Sequence, residues 1–113
     1  DVEKNKANYT ETTIFYDVMN SGIDEFKNLE EEFAQFDNYM EMFEIVDIKE
    51  SGFPDVLDYS GDGAVVISWT DITFKNKKSG NTKTVSQHIQ HWFNDEGEIM
   101  REDYYFNPAQ LPQ

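Results

Sequence analysis

A chain of 113 residues without cysteine has the length of one domain, spanning 1–113, and must hold together by its core alone, since disulfides, thiolate metal ligands and a thiol nucleophile are all excluded. Its formal charge of −14 repels nucleic-acid phosphates and an anionic membrane surface, so no nucleic acid and no membrane is expected as a partner. No apolar run reaches the ~18–20 residues that span a bilayer, and no signal-type leader is visible; the expectation is a soluble protein, cytoplasmic or exported after removal of a leader.

The charge is uneven, −10 over residues 1–50 and −4 over residues 51–113. The acidic excess therefore falls on the first half, as solvated faces. Against this polarity stand nine Phe, six Tyr and two Trp, which need a core, a pocket or an interface to cover them.

In chain order, residues 1–8 read as a frayed polar end, and Asn8-Tyr9-Thr10 is a glycan-acceptor pattern whose meaning depends on the compartment. Ile14, Phe15, Val18 and Met19 predict a short helix over Thr10–Met19, stopped at Asn20-Ser21-Gly22. The second helix is the clearest element. Phe26, Leu29, Phe33, Phe36, Met40 and Phe43 recur at alternating steps of three and four, forming one apolar stripe that seeks a sheet. Glu30, Glu31, Glu32, Asp37 and Glu41 are expected largely outside it. Phe43–Ile48 reads as a strand, Ser51-Gly52-Phe53-Pro54 as a break, Val56–Tyr59 as extended, and Gly61-Asp62-Gly63 as a turn. Strands are then predicted over Ala64–Phe74, Thr82–Phe93 and Glu98–Phe106, joined by hairpin links at 75–81 and 94–97. Helices followed by strands make an α+β domain with helices on one face of an antiparallel sheet.

The stretch Asp62–Trp69, then His88-Ile89-Gln90-His91-Trp92-Phe93-Asn94-Asp95-Glu96-Gly97-Glu98-Ile99, closed by Asp103-Tyr104-Tyr105-Phe106, resembles the final hairpin of NTF2-like (SnoaL-like, ketosteroid-isomerase-like) domains. The resemblance covers about residues 60–107 and implies N-terminal helices packed on a curved, cone-shaped antiparallel sheet. The helical part preceding that sheet is shorter here than such domains carry. It also implies a range of roles: isomerase, polyketide cyclase or dehydratase working without cofactor, or a domain that only binds or dimerises. Fold alone does not choose among them.

Hairpin register decides which side chains share a face. Pairing Phe74 with Thr82, and Asn94 with Glu98 around Gly97, gives one face with Trp69, Asp71, Gln87, Ile89, His91, Arg101, Asp103 and Tyr105. This face has the composition of a pocket for a small apolar or carbonyl-containing ligand. Trp69, Asp71, Gln87, Ile89 and Arg101 are the expected ligand-binding residues. Asp103 or His91 is the candidate base and Tyr105 the oxyanion donor, as acid–base chemistry beside a carbonyl requires. For each there is a structural alternative: a satisfied histidine, an Arg101–Asp103 ion pair, a core tryptophan. The opposite face carries Ile72, Trp92, Met100, Tyr104 and Phe106, expected as the interface of a homodimer. No metal is expected: His88 and His91 are three apart on a strand and point to opposite faces, and Trp69 stands where a calcium loop at Asp58–Gly63 would need its bidentate Glu.

Overall fold

The computed structural model describes residues 9–52, 54–59 and 63–113, and in it the chain opens with a strand where a helix was expected. β1 spans Tyr9–Asp17. Its sequence is dominated by β-branched and aromatic residues, which suit a pleated surface better than a helix. Thr13, Phe15 and Asp17 are buried on one side of it, the two-residue period of a strand. A single helical turn, α1 (Val18–Ser21), follows. Phe15 then exchanges backbone hydrogen bonds with Lys27, at 2.9 and 2.8 Å, which draws the incoming segment against β1. The glycan-acceptor triplet at Asn8, the frayed 1–8 end, Phe53 and the Gly61-Asp62 half of the expected turn lie outside the described residues.

The long helix α2 runs from Leu29 to Met42, starting one turn later than its apolar stripe suggests. Asn28 intercepts it: its side chain accepts from Glu31 N–H at 2.8 Å while the Glu31 carboxylate accepts from Asn28 N–H at 3.1 Å. This reciprocal cap fixes the first turn, and Glu30, Glu31 and Glu32 there face the positive end of the helix dipole. Phe26 is left outside the helix, 58% exposed. The chain passes from α2 straight into β2, Phe43–Glu50.

β3 (Asp55–Tyr59), β4 (Gly63–Asn76), β5 (Thr82–Phe93) and β6 (Ile99–Tyr105) complete a six-stranded sheet of order β1-β6-β5-β4-β2, with β3 also paired to β4. The pairs among β2–β6 are antiparallel; β1 runs parallel to β6, so the sheet is mixed. Curved and unclosed, it holds α2 on its inner face. The α+β architecture thus stands as expected, with one more strand and with the first helix reduced to the single turn α1.

The core sits between α2 and the inner face: Phe15, Phe43, Phe74, Val85, Tyr104 and Phe106, joined by Leu111 from beyond the sheet. After a short turn at Pro108–Gln110 the C-terminal tail folds back on the β4–β5 hairpin. Asn76 Nδ2 donates to Pro112 O at 3.1 Å, and Asn81 Nδ2 to Gln113 O at 2.8 Å.

Two registers differ from those expected from sequence. Lys75, not Phe74, faces Thr82, because Asn76 closes the loop itself: its N–H donates to Asn81 O, and its side chain accepts from Lys78 and Ser79 N–H. At the other hairpin Asn94 and Glu98 do close the turn, with Gly97 at φ +80°, the left-handed conformation glycine adopts at least cost. Yet Phe93 faces Ile99 while Trp92 faces Arg101. Met100 is the extra residue of a β-bulge, and beyond it every β6 side chain changes face.

Candidate functional site

The registers redraw the two faces. Val85, Gln87, Ile89 and His91 of β5 look inward as expected; beside them stand Ile72 and Phe74 of β4 and Glu102 and Tyr104 of β6. Trp69, Asp71, Arg101, Asp103 and Tyr105 stand on the outer face, in correction of the expected pocket list. Ile72, Tyr104 and Phe106 stand on the inner side, in correction of the expected interface list. The physical causes are the one-residue slip at Asn76 and the bulge at Met100.

On the outer face Arg101 holds Asp103 with two bonds, Nε to Oδ1 at 2.7 Å and Nη2 to Oδ2 at 2.9 Å. This hydrogen bond to the carboxylate holds the guanidinium above its ordinary pKa. The guanidinium also lies over the rings of Tyr16, at 4.3 Å, and Trp92, at 4.9 Å. His88 is stacked between Trp69 and Tyr105, centroids 4.8 and 5.5 Å away. Its Nδ1 meets the Ser68 carbonyl at 3.1 Å and its Nε2 meets Gln90 Nε2 at 3.3 Å. A carbonyl only accepts, so Nδ1 carries the proton and Nε2 accepts from the amide. Asp71 accepts from Ser86 Oγ at 2.7 Å. These groups stand on the outer face of the sheet, away from α2, with Asp103 itself buried.

The inner face carries a cavity of about 120 Å³ beneath α2. Phe36, Tyr39 and Met40 form its roof, Ile45, Ile72 and Phe74 its floor, and Phe106 and Leu111 one end. The polar lining is Glu32, Gln35, Gln87 and Tyr104. Sites for drug-sized ligands run to roughly 300–1,000 Å³, and this cavity is smaller than that range.

Its polar corner is assembled from four segments. Tyr104 Oη donates to Glu32 Oε2 at 3.0 Å and accepts from Lys27 Nζ at 2.8 Å. Lys27 Nζ also lies 2.9 Å from Glu32 Oε2 and 3.9 Å from Asp17 Oδ2, and donates to Gln35 Oε1. Gln35 Nε2 and Asn20 Nδ2 donate to Asp17 Oδ2 at 3.3 and 2.8 Å. Asp17 is 3% exposed, and its Oδ1 has no hydrogen-bond partner among the described residues. Burial raises the Glu32 carboxyl above the usual carboxylate range, opposed by the hydrogen bond and charge of Lys27. Burial and the neighbouring Glu32 and Asp17 charges push the Tyr104 hydroxyl well above an ordinary phenol, so it remains a donor.

A second buried group sits nearer β1. Glu102 Oε1 accepts from Tyr9 Oη at 2.5 Å and lies 2.6 Å from His91 Nε2. Burial, then Glu102, raises the Tyr9 hydroxyl. His91 is therefore on the inner face, as expected, and bound to a carboxylate.

Sequence reasoning missed Glu32, Lys27, Asp17 and Leu111. A signal for Glu32 was present: it stands three residues after Leu29 and four before Phe36, on the apolar stripe itself. Among the described residues no group of three or more His, Cys, Asp or Glu side chains is placed to hold a metal, and no helix is long and apolar enough to cross a membrane.

A helix-capped, curved, unclosed sheet with an inner-face cavity is the NTF2-like fold. Three solved structures share it. One is a candidate isomerase from Bacillus subtilis (TM-score 0.71, 17% identity, covering 96% of this chain and 76% of that one). Another is a candidate SnoaL-like polyketide cyclase from Mesorhizobium loti (TM-score 0.65, 18% identity, 91% and 83% covered). The third is a ketosteroid isomerase-like protein from Erwinia carotovora atroseptica (TM-score 0.70, 19% identity, 94% and 81% covered). Neither a protein-family model nor a curated protein matches the sequence. At these identities the likeness is one of fold.

Proposed function

We propose that the protein binds a small molecule in the cavity beneath α2, its apolar part against Phe36, Ile72 and Phe106 and its polar part at Glu32. The observation that carries this reading is the concurrence of an apolar cavity and a partly buried, hydrogen-bonded carboxylate in the same wall. Binding pockets have that composition: much apolar surface and a few placed polar groups. Calorimetric titration with a set of branched and monocyclic compounds of benzene size tests it. The wild type binds members of the set, and Ile72→Phe, which fills the floor, abolishes binding while the protein stays folded. Equal binding by the filled variant defeats the reading.

Acid–base catalysis is the second reading, favoured by the burial that raises Glu32 toward neutrality. Such a carboxyl can take and return a proton, the step common to isomerases, cyclases and dehydratases. Asp103, Arg101 and Tyr105 have no part in it, and His91 serves Tyr9 and Glu102. The purely binding reading is favoured by the closed bonding of Glu32, Tyr104 and Lys27, which commits the Tyr104 hydroxyl and the Lys27 ammonium to Glu32 rather than to an oxyanion. Exchange of solvent deuterium into a bound small ketone, present in the wild type and lost in Glu32→Gln, separates the two.

A second copy of the chain packs on the outer face, where Trp69 is 43% exposed and Trp92 and Tyr105 also stand. An apolar surface of that kind is the usual mark of an isologous contact. Trp69→Glu converts a dimer to a monomer in size-exclusion chromatography with light scattering; a wild-type protein already monomeric at high concentration rejects it.

A further inference from the structure

The nature of the occupant follows from the charges around the cavity, given that the cavity is a ligand site. Among the described residues Glu32 is the sole charged side chain in the wall. Gln35, also in the wall, reaches back to Asp17, so a second carboxylate stands directly behind the first. Both share one ammonium, Lys27, which is spent on Glu32, Gln35 and Tyr104. Asp17 Oδ1 has no donor among the described residues. A partly buried corner with carboxylates in excess of cations is unfavourable to an anion and gains from an incoming cation.

The rest of the wall suits the same ligand. Phe36, Tyr39, Phe74, Tyr104 and Phe106 line it, and aromatic rings attract cations, methylated ammonium groups above all. Tyr104 already has the Lys27 ammonium 5.4 Å from its ring centroid. A neutral carbonyl would need a donor instead; the Tyr104 hydroxyl and Lys27 ammonium are both directed at Glu32, which leaves it uncharged donors such as the Gln87 amide. Size agrees: a cavity of about 120 Å³ is slightly smaller than the ~150 Å³ that holds benzene, enough for a compact trimethylated nitrogen with its tail toward solvent. The net charge of −14 enriches cations around the molecule.

We propose that the cavity is a site for a small organic cation of the methylated-ammonium class, with Glu32 as its counter-charge and the surrounding aromatic side chains as its cage. The test compares choline with 3,3-dimethylbutan-1-ol, its uncharged isostere, by ¹H–¹⁵N NMR titration of the full chain. The wild type binds choline about tenfold more tightly than the isostere, with shifts at Gln35, Tyr39, Gln87 and Tyr104. Glu32→Gln loses most of that preference and keeps the isostere. Isostere binding equal to or tighter than choline overturns the cationic assignment and leaves the small-molecule reading standing. Binding of neither, or choline shifts scattered over the acidic surface, overturns it as well, and the absence of any cavity binding takes the parent reading with it.

Discussion

Tyr104 Oη donates to Glu32 Oε2 at 3.0 Å, tying β6 to the first turn of α2 across the polar end of the cavity. The same hydroxyl accepts from Lys27, so one phenol joins β6 to both α2 and the segment that leads into it. Tyr104→Phe removes both bonds but leaves Lys27 and Glu32 in direct contact. It is expected to lower stability by about 1–3 kcal/mol, the range for hydrogen bonds to charged groups, measured by urea unfolding.

The pH dependence carries the signature of Glu32. Its folded-state pKa is raised by burial, so the folded protein holds that proton more tightly than the unfolded chain. The stabilisation is complete below the ordinary carboxyl value near 4.5 and is lost as pH rises through the folded value. The unfolding free energy of the wild type minus that of Glu32→Gln therefore rises as pH falls from 7 toward 4.5. Urea melts of both proteins across that interval check it; a flat or falling difference contradicts the assignment.

Asp103 is a structural residue on this account. Asp103→Asn breaks its bidentate pair with Arg101 and costs about 1–3 kcal/mol, less than a fully buried pair would lose, because the guanidinium is partly exposed. Ligand affinity at the inner face stays within twofold of wild type, about 0.4 kcal/mol, as calorimetry on the two proteins would read. A large loss of binding without unfolding would return Asp103 to the site.

Gly63 starts β4 at φ +85°, and a Cβ there would lie 2.1 Å from the Phe93 carbonyl oxygen. Gly63→Ala must shift backbone of the β4–β5 pair and is expected to cost more than about 2 kcal/mol. Gly97→Ala has a similar φ but nothing within 4 Å, so it bears the conformational cost alone. Thermal melts of both variants rank them.

What the sequence made legible was decided by apolar patterning. The α2 stripe, β2, β3, the three long strands and the closing pair at Asn94 and Glu98 all carry local signals strong enough to place them. β1 did not, because two of its three buried positions are Thr13 and Asp17; Thr13 Oγ1 and Asp17 Oδ2 find their partners in Ile99 O and in Asn20, Gln35 and Lys27, which only the fold supplies. The faces were misdrawn on β4 because an asparagine closed its own loop, and on β6 because one residue bulged. Neither leaves a hydrophobic trace, since both faces of this aromatic sheet are rich in apolar residues. The inner set of β5 was right, and its neighbours were exchanged by those two single-residue events.

The central claim, a ligand site on the inner face beneath α2, is tested most directly by mapping ¹H–¹⁵N shifts as the uniformly labelled protein is titrated with its tightest small ligand. The account predicts saturable shifts at Gln35, Phe36, Tyr39, Gln87 and Tyr104, with Trp69, His88, Trp92 and Tyr105 unmoved. Saturable shifts confined to the outer set would contradict it.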